Sequence, residues 1–543
     1  MGIRRGRGPR ALVAGSLLVG TVLVGSVVVG SLPASANTPV SLYVSTMGSD
    51  GGGSNTCTAS STPCLTIRQA INEAESNYTT VDDVTINVAG GTYTENETIS
   101  ASSLDSLTIA GAGASTTNVN GDAAGTVFII NDGTVTVSGL TIENGQASAV
   151  SANGIAGGGI YNNGTLALTG VTIANNTGLG GGGIVDDYDG ILAITNSTVS
   201  QNTATTPLCT SSCSTFSGGI LEFDNIDSAQ VTITNSTVSQ NTATTPLCTS
   251  SCSSGAGGIG YDGPSDADLT ITNSTVSQNT ATTPLCTSSC SSFGGGIVGP
   301  AFITSSTVAQ NKAAAPSCMS DCSAVGAGIW GFDSNGYIAA SIVANNGSGG
   351  DCGEGTPNDG GYNLVEDATC GFTSANNDVL ANPDLGALNH NGGPTETMLP
   401  APTSPAIGVI PSGTTLNGVQ VCPRTDQRGV ASAPGANCTI GAVEVLVTSG
   451  PLQITTTALP GGIVGQPYSF TLQATGGNPP YTWWYAKGGD LPRGVHFSTA
   501  GVLSGTPKKA GNYSITFRVR DTRIAGHPVN KAHASLTVTI TIT

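Results

Sequence analysis

Short runs of alternating apolar and polar residues recur through the middle of this 543-residue chain. The segment ITNSTVSQNTATTPLCTSSCS occurs three times, beginning at Ile194, Ile233 and Ile271, and a diverged copy begins at Ile303. These runs are rich in Thr, Val and Ile and have no helical period, so they predict short β-strands. Aligning the copies with three shorter relatives gives one apolar position per repeat, at Ile142, Ile173, Val199, Val238, Val276, Val308 and Val343.

A second element, Gly-Gly-Ile or a close variant, alternates with the first. Its copies end at Ile160, Ile184, Ile220, Ile259, Ile297 and Ile329. The shortest step between the two elements is 11 residues in either direction, which gives a minimal turn of 22 residues. Such a coil cannot bury its apolar face alone, but coils stacked about 4.8 Å apart form a continuous narrow core. The pattern therefore predicts a parallel β-helix.

An asparagine lies three residues after the apolar position in six of the seven repeats. These residues are Asn176, Asn202, Asn241, Asn279, Asn311 and Asn346. Stacked amides hydrogen-bond from coil to coil, so we expect an asparagine ladder along the helix. Glycosylation is the alternative, because sequons begin at Asn196, Asn235 and Asn273 in the same repeats.

Four coils carry a ten-residue insertion with a Cys-x-x-x-Cys motif. We expect its cysteines to stack into one cysteine ridge, formed by Cys209, Cys213, Cys248, Cys252, Cys286, Cys290, Cys318 and Cys322. Disulfides are expected, either within each loop or between neighbouring coils, and zinc ligation is the alternative. The remaining cysteines of the chain's 14 form three local pairs, Cys57/Cys64, Cys352/Cys370 and Cys422/Cys438.

Composition fits a thin-cored, exported protein. Only 9% of the residues are charged and 77 are glycine, whereas a typical globular domain has about 25% charged residues. Four arginines in the first ten residues precede an apolar run and an Ala34-Ser35-Ala36 cleavage pattern. We therefore predict a signal peptide over residues 1–36 and a secreted or cell-surface location. Membrane contact is expected only if this leader stays uncleaved.

The charge changes sign along the chain. Residues 37–446 contain 4 cations and 32 acids, a net charge of −28, whereas residues 447–543 contain 8 cations and 2 acids, a net charge of +6. This change predicts a domain boundary near residues 447–451. The acidic body would repel nucleic acid, so a nucleic-acid partner is excluded.

The N-terminal part of the body resembles a known bacterial superfamily. Residues 66–74 (TIRQAINEA) predict a short helix that covers the end of the solenoid, with one apolar face formed by Ile67, Ala70, Ile71 and Ala74. With LYVSTMGSD and VAGGTYTENETI, this segment resembles right-handed β-helix proteins of the pectin-lyase-like superfamily. The resemblance implies a right-handed parallel β-helix solenoid, with 37–110 as cap and first coils and 111–360 as the coils that carry the cysteine loops.

Two C-terminal segments resemble modules of bacterial surface proteins. Residues 361–446, which contain GYNLVEDATC, NGGP, SPA and DQRG, resemble a choice-of-anchor Q module at the end of the β-helix. Residues 447–543, with strands expected at 468–473 and 513–519, resemble a bacterial immunoglobulin-like domain similar to cadherin-like modules. Of Trp483 and Trp484, we expect one in the core and the other on the surface. The fold class is therefore all-β, a β-helix followed by a small immunoglobulin-like β-sandwich.

Acidic residues follow the Gly-Gly-Ile element on successive coils and are expected to stack along one acidic edge. They are Asp186, Asp187, Asp189, Glu222, Asp224 and Asp227. Such an edge could bind calcium or act as a carboxylate pair on a neutral glycan, and the simpler interpretation is a set of solvated turns.

The expected function is non-catalytic adhesion or glycan contact at the cell surface. Lyase chemistry on an acidic polysaccharide needs cations, and none occurs between Arg68 and Lys312. A polysaccharide-active lyase or hydrolase and a calcium-binding adhesive module are the alternatives. We assign no catalytic residue, no metal ligand and no cofactor other than the calcium named above, and the oligomeric state stays open.

Overall fold

The computed structural model describes residues 38–52, 55–79, 82–147, 155–188, 190–207, 209–223, 230–261, 269–331, 336–347, 349–445, 452–475, 481–485, 490–520 and 533–543. Within these ranges no helix is long and apolar enough to cross a membrane. The predicted leader, residues 1–36, lies outside them.

The predicted fold class is confirmed: a parallel β-helix is followed by an immunoglobulin-like domain. Three long parallel sheets run along the helix. Sheet 1 consists of Thr38–Val44, Asp82–Val88, Ser106–Gly111, Thr134–Ser138, Thr165–Thr169, Ile191–Thr195, Gln230–Thr234, Leu269–Thr272, Ala301–Thr304, Tyr337–Ala339 and Asn358–Gly361. Sheet 2 consists of Gly91–Thr94, Thr117–Asn120, Thr141–Glu143, Thr172–Ala174, Thr198–Ser200, Thr237–Ser239, Thr275–Ser277, Thr307–Ala309, Ile342–Ala344, Leu364–Val365 and Val379–Leu380. Sheet 3 consists of Glu97–Ser100, Phe128–Asp132, Ile160–Asn162, Ile184–Asp187, Ile220–Phe223, Ile259–Tyr261, Ile297–Val298, Ile329–Trp330 and Cys352–Gly353.

Two shorter parallel sheets form the arms of the cysteine ridge. Sheet 4 leads into the cysteine loops and consists of Thr177–Gly178, Thr203–Thr205, Thr242–Thr244, Thr280–Thr282 and Lys312–Ala314. Sheet 5 leaves the loops and consists of Ser214–Thr215, Ser253–Ser254, Ser291–Phe293 and Ser323–Val325. The long insertions therefore fold as ordered extensions of the coils.

The two predicted apolar columns are confirmed. The residues aligned with Val238 pair in register along sheet 2, and those aligned with Ile259 pair in register along sheet 3. All of them belong to one continuous buried core. One or two large buried side chains per strand suffice because each coil covers the core of its neighbour.

The predicted N-terminal helix, α1, spans Ile67–Asn77, and its four predicted apolar residues are buried. Thr66 caps it by accepting a hydrogen bond from the Gln69 amide, and the Glu95 carboxylate accepts hydrogen bonds from the first two amides of the helix. Both contacts satisfy amide groups that have no partner within a helix. The helix therefore packs on the solenoid core as a fixed cap.

The six predicted asparagines form an unbroken series of hydrogen bonds. Each side-chain amide from Asn176 to Asn311 donates to the Oδ1 atom of the next asparagine, at 2.9–3.1 Å. The first coil has Gly145 at this position, and its backbone amide donates to Asn176 instead. Asp351 accepts from Asn346 and ends the series.

A second ladder, which the sequence analysis missed, lies at the turn between sheets 1 and 2. Backbone amides donate to serine hydroxyls of the next coil, and the series is Ser197, Ser236, Ser274, Ser306 and Ser341. It continues through Asn363 to the carboxylate of Asp378. The sequence indicates this ladder, because serine occupies the second position of the Asn-Ser-Thr-Val motif in every copy.

Asp378, at the end of this ladder, is expected to make the stability of the protein depend on pH. Burial and the hydrogen bond with Asp359 raise the pKa of Asp378 to about 7. Because an unfolded aspartate has a pKa of about 3.9, the folded protein binds the proton more tightly. The contribution of Asp378 to stability is therefore expected to be fully present below about pH 4 and to be lost as the pH rises to about 7. Asp378→Asn, which keeps a donor towards Asp359, should weaken this dependence and raise the unfolding temperature at pH 8. Exposed Asp384→Asn is the control, and equal pH curves for wild type and Asp378→Asn would contradict the assignment.

Residues 374–445 contain a short 3₁₀ turn, Ser374–Asn376, the last strand of sheet 2, Val379–Leu380, and then two hairpins, Leu385–Asn389 with Thr397–Pro400 and Thr415–Leu416 with Val419–Gln420. The C-terminal domain has two antiparallel three-stranded sheets. They consist of Tyr468–Thr471, Val502–Gly505 and Val495–Phe497, and of Thr482–Tyr485, Gly511–Arg520 and His533–Ile542. Gln453–Ile454 pairs with Ala474–Thr475. Trp483 is buried in the core of this domain and Trp484 is half-buried.

Candidate functional site

The predicted acidic edge is not a solvent-exposed edge at the positions that the structure describes. Asp186, Asp187 and Glu222 are each exposed by no more than 2%. Asp186 accepts a hydrogen bond from Asn162, and Asp187 accepts one from the Tyr161 hydroxyl at 2.6 Å. The expectation of solvated carboxylates is therefore wrong for these three residues, because their side chains are buried among neighbouring coils. Asp189, Asp224 and Asp227 lie outside the described residues.

The Tyr161 side chain, which hydrogen-bonds Asp187, is shielded from water. Burial, and then the hydrogen bond to Asp187, raise the pKa of Tyr161 far above the usual value of a tyrosine. Asp187 also accepts from the Tyr188 amide. Both Asp187 oxygens are thus committed to neighbouring groups, which suits a structural carboxylate.

The cysteine ridge is formed by disulfides within each loop, between the members of each Cys-x-x-x-Cys motif. The other three local pairs, Cys57–Cys64, Cys352–Cys370 and Cys422–Cys438, are also disulfides. Sulfur atoms of three ridge cysteines lie within 4.8 Å of one another, Cys290, Cys318 and Cys322. Because all three are in disulfides, they supply no thiolate for zinc.

Residues 391–445 pack against the turn between sheets 1 and 2. The buried Gln427 side chain donates to Thr237 Oγ1 at 2.9 Å and accepts from Thr275 Oγ1 at 2.6 Å, so it bridges two coils. The Asn273 side chain donates to the Thr425 carbonyl and accepts from Arg424. Glycosylation at the Asn273 sequon would require these contacts to open.

Gln427→Ala is expected to loosen residues 391–445 from the coils. The substitution leaves the buried Thr275 hydroxyl without its acceptor, at a cost of about 1–3 kcal/mol. It also removes the amide donor to Thr237 Oγ1 and to the Glu396 carbonyl, which stay hydrogen-bonded to each other. Limited proteolysis should then cut within this segment faster than in wild type. Gln420→Ala removes the same side chain from an exposed position and should not change the rate; equal cleavage of both variants would refute the bridging role.

An open cleft of about 520 Å³ lies between sheets 3 and 5, and we call it the aromatic cleft. It is lined by Ser214, Thr215, Phe216, Leu221, Ser253, Gly255, Ala256, Gly260, Tyr261, Phe293, Val298, Gly299, Pro300, Trp330 and Gly331. Among these described lining residues there is no Asp, Glu, Lys, Arg or His. The cleft therefore offers aromatic faces, hydroxyls and backbone groups.

Two aromatic pairs flank the cleft. On one side Phe216 lies against Phe223, with ring centroids 6.0 Å apart. On the other side Phe293 lies against Trp330, with ring centroids 4.3 Å apart and planes inclined by 32°. All four side chains are half-buried, so part of each is accessible from solvent.

The cleft opens where one coil has glycine at both wall positions. In sheet 3, Gly260 pairs between Leu221 and Val298. In sheet 5, Ser254 pairs between Thr215 and Ser292, which places Gly255 between Phe216 and Phe293. A Cβ atom at Gly260 would lie 3.2 Å from Ser217 Cβ and 3.5 Å from a Leu221 methyl group. A Cβ atom at Gly255 would lie 2.5 Å from the Phe216 carbonyl oxygen, so this position has no room for a side chain, and Gly260 leaves the gap in the wall formed by sheet 3.

The gap between Phe216 and Phe293 spans two coil spacings. Two coil spacings of about 4.8 Å separate the backbones that carry Phe216 and Phe293 by about 9.6 Å. A ring in van der Waals contact on both faces needs about 7–8 Å. The cleft was not among the predicted sites, although the residue after each Gly-Gly-Ile element marks it: glycine stands at position 260, where the neighbouring coils have Leu221 and Val298.

One family model matches the C-terminal part of the chain. The model of the family described as "Putative Ig domain" matches residues 450–543. No curated protein sequence matches the chain. A pectin methylesterase in complex with a hexasaccharide is similar at 14% identity and a TM-score of 0.26, over 54% of this chain and 80% of that chain. A Bacteroides fragilis protein assigned as an α-galactosidase is similar at 22% identity and a TM-score of 0.15, over 19% of each chain, so the match spans about a fifth of its length. Similarities this weak carry no argument about activity.

Proposed function

We propose that this protein is an extracellular, non-catalytic β-helix protein that binds a neutral glycan in the aromatic cleft. The observation that carries the proposal is the gap at Gly255 and Gly260, flanked by the Phe216/Phe223 and Phe293/Trp330 pairs. Pyranose rings have apolar faces that stack on aromatic side chains and hydroxyl rims that hydrogen-bond to polar groups. The cleft offers both kinds of partner, the second through Ser214 and Ser253.

Charge supports a neutral ligand. The described lining residues carry no formal charge, and residues 37–446 have a net charge of −28. A polyanion would be repelled by this body, whereas an uncharged sugar would not. The first alternative, an enzyme that cleaves acidic polysaccharide, fits this environment poorly.

Burial of the acidic residues favours binding over turnover. Glycoside hydrolysis generally needs two carboxyl groups that reach the scissile bond. Asp186, Asp187 and Glu222 are buried and hold neighbouring side chains or lie within the coil stack. Because they are buried, these carboxylates cannot contact a polysaccharide at the surface. The same burial argues against calcium binding at these residues.

Seven disulfides support an extracellular location, because disulfides persist in oxidising compartments. Four of them stack beside the cleft, and Cys213 directly precedes the cleft residue Ser214. An uncharged, disulfide-bonded wall would hold its shape outside the cell. Adhesion or matrix contact is the role that fits such a protein.

The proposal is tested by measuring binding and turnover on the same glycans. The purified protein is applied to a glycan array with calcium and with chelator, and bound glycans are then incubated with it and analysed for shorter products. We expect retention on neutral glycans without products and without a chelator effect. Product formation that Asp187→Asn abolishes would establish the enzyme instead, and retention lost with chelator would establish the calcium-dependent binder.

A further inference from the structure

One face of the C-terminal domain carries two arginines beside a tryptophan. In the strand Gly511–Arg520, Ile515, Phe517 and Val519 are buried in the domain core. Successive strand residues point to opposite faces, so Arg518 and Arg520 lie on the outer face. Trp484 pairs directly with Arg518 in the neighbouring strand and shares that face, whereas its neighbour Trp483 belongs to the core.

These three side chains form a compact group. Directly opposed residues of an antiparallel pair have Cβ atoms about 4.5–5.5 Å apart, which places Arg518 beside the indole of Trp484. The guanidinium carbon of Arg520 lies 5.8 Å from the centre of the Trp484 ring. In the described part of the chain, neither arginine lies within 4.0 Å of a carboxylate. One indole therefore has Arg520 over its ring and Arg518 at the directly opposed position of the neighbouring strand.

Hydroxyl groups extend this face across the sheet. Arg518 pairs with Ser535, and Thr516 hydrogen-bonds Thr537 side chain to side chain at 2.8 Å. Among the described residues, the outer face thus combines an indole, two guanidinium groups and a row of hydroxyls. This set differs from the aromatic cleft, which has no charged lining residue among those described.

We propose that Trp484, Arg518 and Arg520 bind an anionic polysaccharide whose pyranose rings carry carboxylates. The indole would stack on the sugar ring, and the guanidinium groups would bind the carboxylates through the paired hydrogen bonds that arginine favours. Charge complementarity supports this occupant, because residues 447–543 have a net charge of +6 while the body has −28. The domain is thus the part of the chain where a polyanion can be held.

This inference does not rest on the cleft, and a matched pair of ligands tests it. A β-1,4-glucuronan oligosaccharide and a cello-oligosaccharide of equal length differ only in the carboxylate at C6. Binding of the purified full chain to each is measured by calorimetry at low and high salt. We expect the uronic acid ligand to bind at least about tenfold more tightly, with an affinity that falls as salt rises.

Variants locate the site. Trp484→Ala and the double variant Arg518→Gln/Arg520→Gln should each weaken glucuronan binding by about tenfold or more. Arg493→Gln/Lys509→Gln removes the same charge from exposed positions elsewhere in the domain and should change the affinity by less than about threefold. Trp484→Phe keeps an aromatic plane and should retain most of the binding. Thermal unfolding of each variant identifies any loss that arises from misfolding.

Three outcomes would overturn the proposal. Equal binding of both ligands that Trp484→Ala weakens to the same extent would show that the carboxylate is not recognised at this face. Equal weakening by the Arg518/Arg520 and Arg493/Lys509 double variants would show general attraction between charges. Self-association at low salt that the Arg518/Arg520 variant abolishes, without glucuronan binding, would identify the acidic body of a second copy as the occupant.

Discussion

Replacing Asn241 with leucine is expected to lower the free energy of unfolding by about 2–4 kcal/mol. The Asn241 side chain is fully buried and makes hydrogen bonds in both directions along the helix. Its Oδ1 atom accepts from the Asn202 amide at 3.0 Å, and its Nδ2 atom donates to the Val199 carbonyl at 2.9 Å. Leucine has a similar volume but removes the acceptor of the buried Asn202 backbone and side-chain amides and the donor to Asn279 Oδ1 on the next coil. Urea unfolding followed by circular dichroism measures the change.

The control for this prediction lies one residue away. Gln240 is exposed, and its side chain forms a parallel series with Gln201 and Gln278 on the surface. Gln240→Asn shortens that side chain at the same turn and should change stability by no more than about 0.5 kcal/mol. If the two substitutions cost the same, the buried ladder does not stabilise the solenoid as described.

Filling the gap in the aromatic cleft is expected to abolish glycan binding while the solenoid stays folded. Gly260→Val introduces an apolar side chain at a position where the neighbouring strands have Leu221 and Val298. The strand should therefore tolerate the valine, and its side chain should fill part of the cleft. The nearest atom to the new Cβ, Ser217 Cβ at 3.2 Å, must move by only a few tenths of an ångström. Binding of the array-selected glycan should weaken by about tenfold or more, measured by calorimetry.

Two further variants make this prediction decisive. Gly125→Val is the matched control, because a Cβ there meets only Asn96 Nδ2, at 3.9 Å, and the residue does not line the cleft. It should bind the glycan like wild type. Trp330→Ala removes one face of the aromatic pair without filling the gap and should also weaken binding. Full binding by both Gly260→Val and Trp330→Ala would place the ligand elsewhere.

Periodic features were predictable from the sequence, because every coil repeats them. The apolar positions of Val238 and Ile259, and the amide of Asn241, each recur at a fixed offset in successive repeats. Stacking at one strand spacing then places equivalent residues on top of one another. The apolar columns of sheets 2 and 3 could therefore be predicted without any knowledge of tertiary contacts, and the fold class followed from them.

The acidic edge was mispredicted because offset alone does not determine exposure. Asp186 and Asp187 are adjacent in one strand, so they face opposite sides, and each meets a polar partner on the preceding coil, Asn162 and Tyr161 respectively. Because the chain has few charged residues, its carboxylates were expected to lie on the surface, where they would keep the protein soluble. Burial of these carboxylates depends on neighbouring coils, which composition cannot report.

The cleft and the packing of residues 391–445 were missed for different reasons. The cleft is defined by the absence of side chains at Gly255 and Gly260, and glycine is so frequent in this chain that two more carry little signal. Gln427 contacts Thr237, 190 residues earlier in the chain. Contacts between residues so far apart in the chain do not produce a repeating pattern in a single sequence. The DQRG motif that contains Gln427 carried a family resemblance, but the resemblance did not indicate what this residue contacts.

The most direct test of the central claim is a crystal structure of the protein with the neutral glycan that the array selects. The account predicts one sugar ring in the gap above Gly260, stacked between the Phe216 and Phe293 sides of the aromatic cleft, with hydroxyls near Ser214 or Ser253. A glycan bound beside Asp187, or anywhere outside the cleft with the cleft empty, would contradict it.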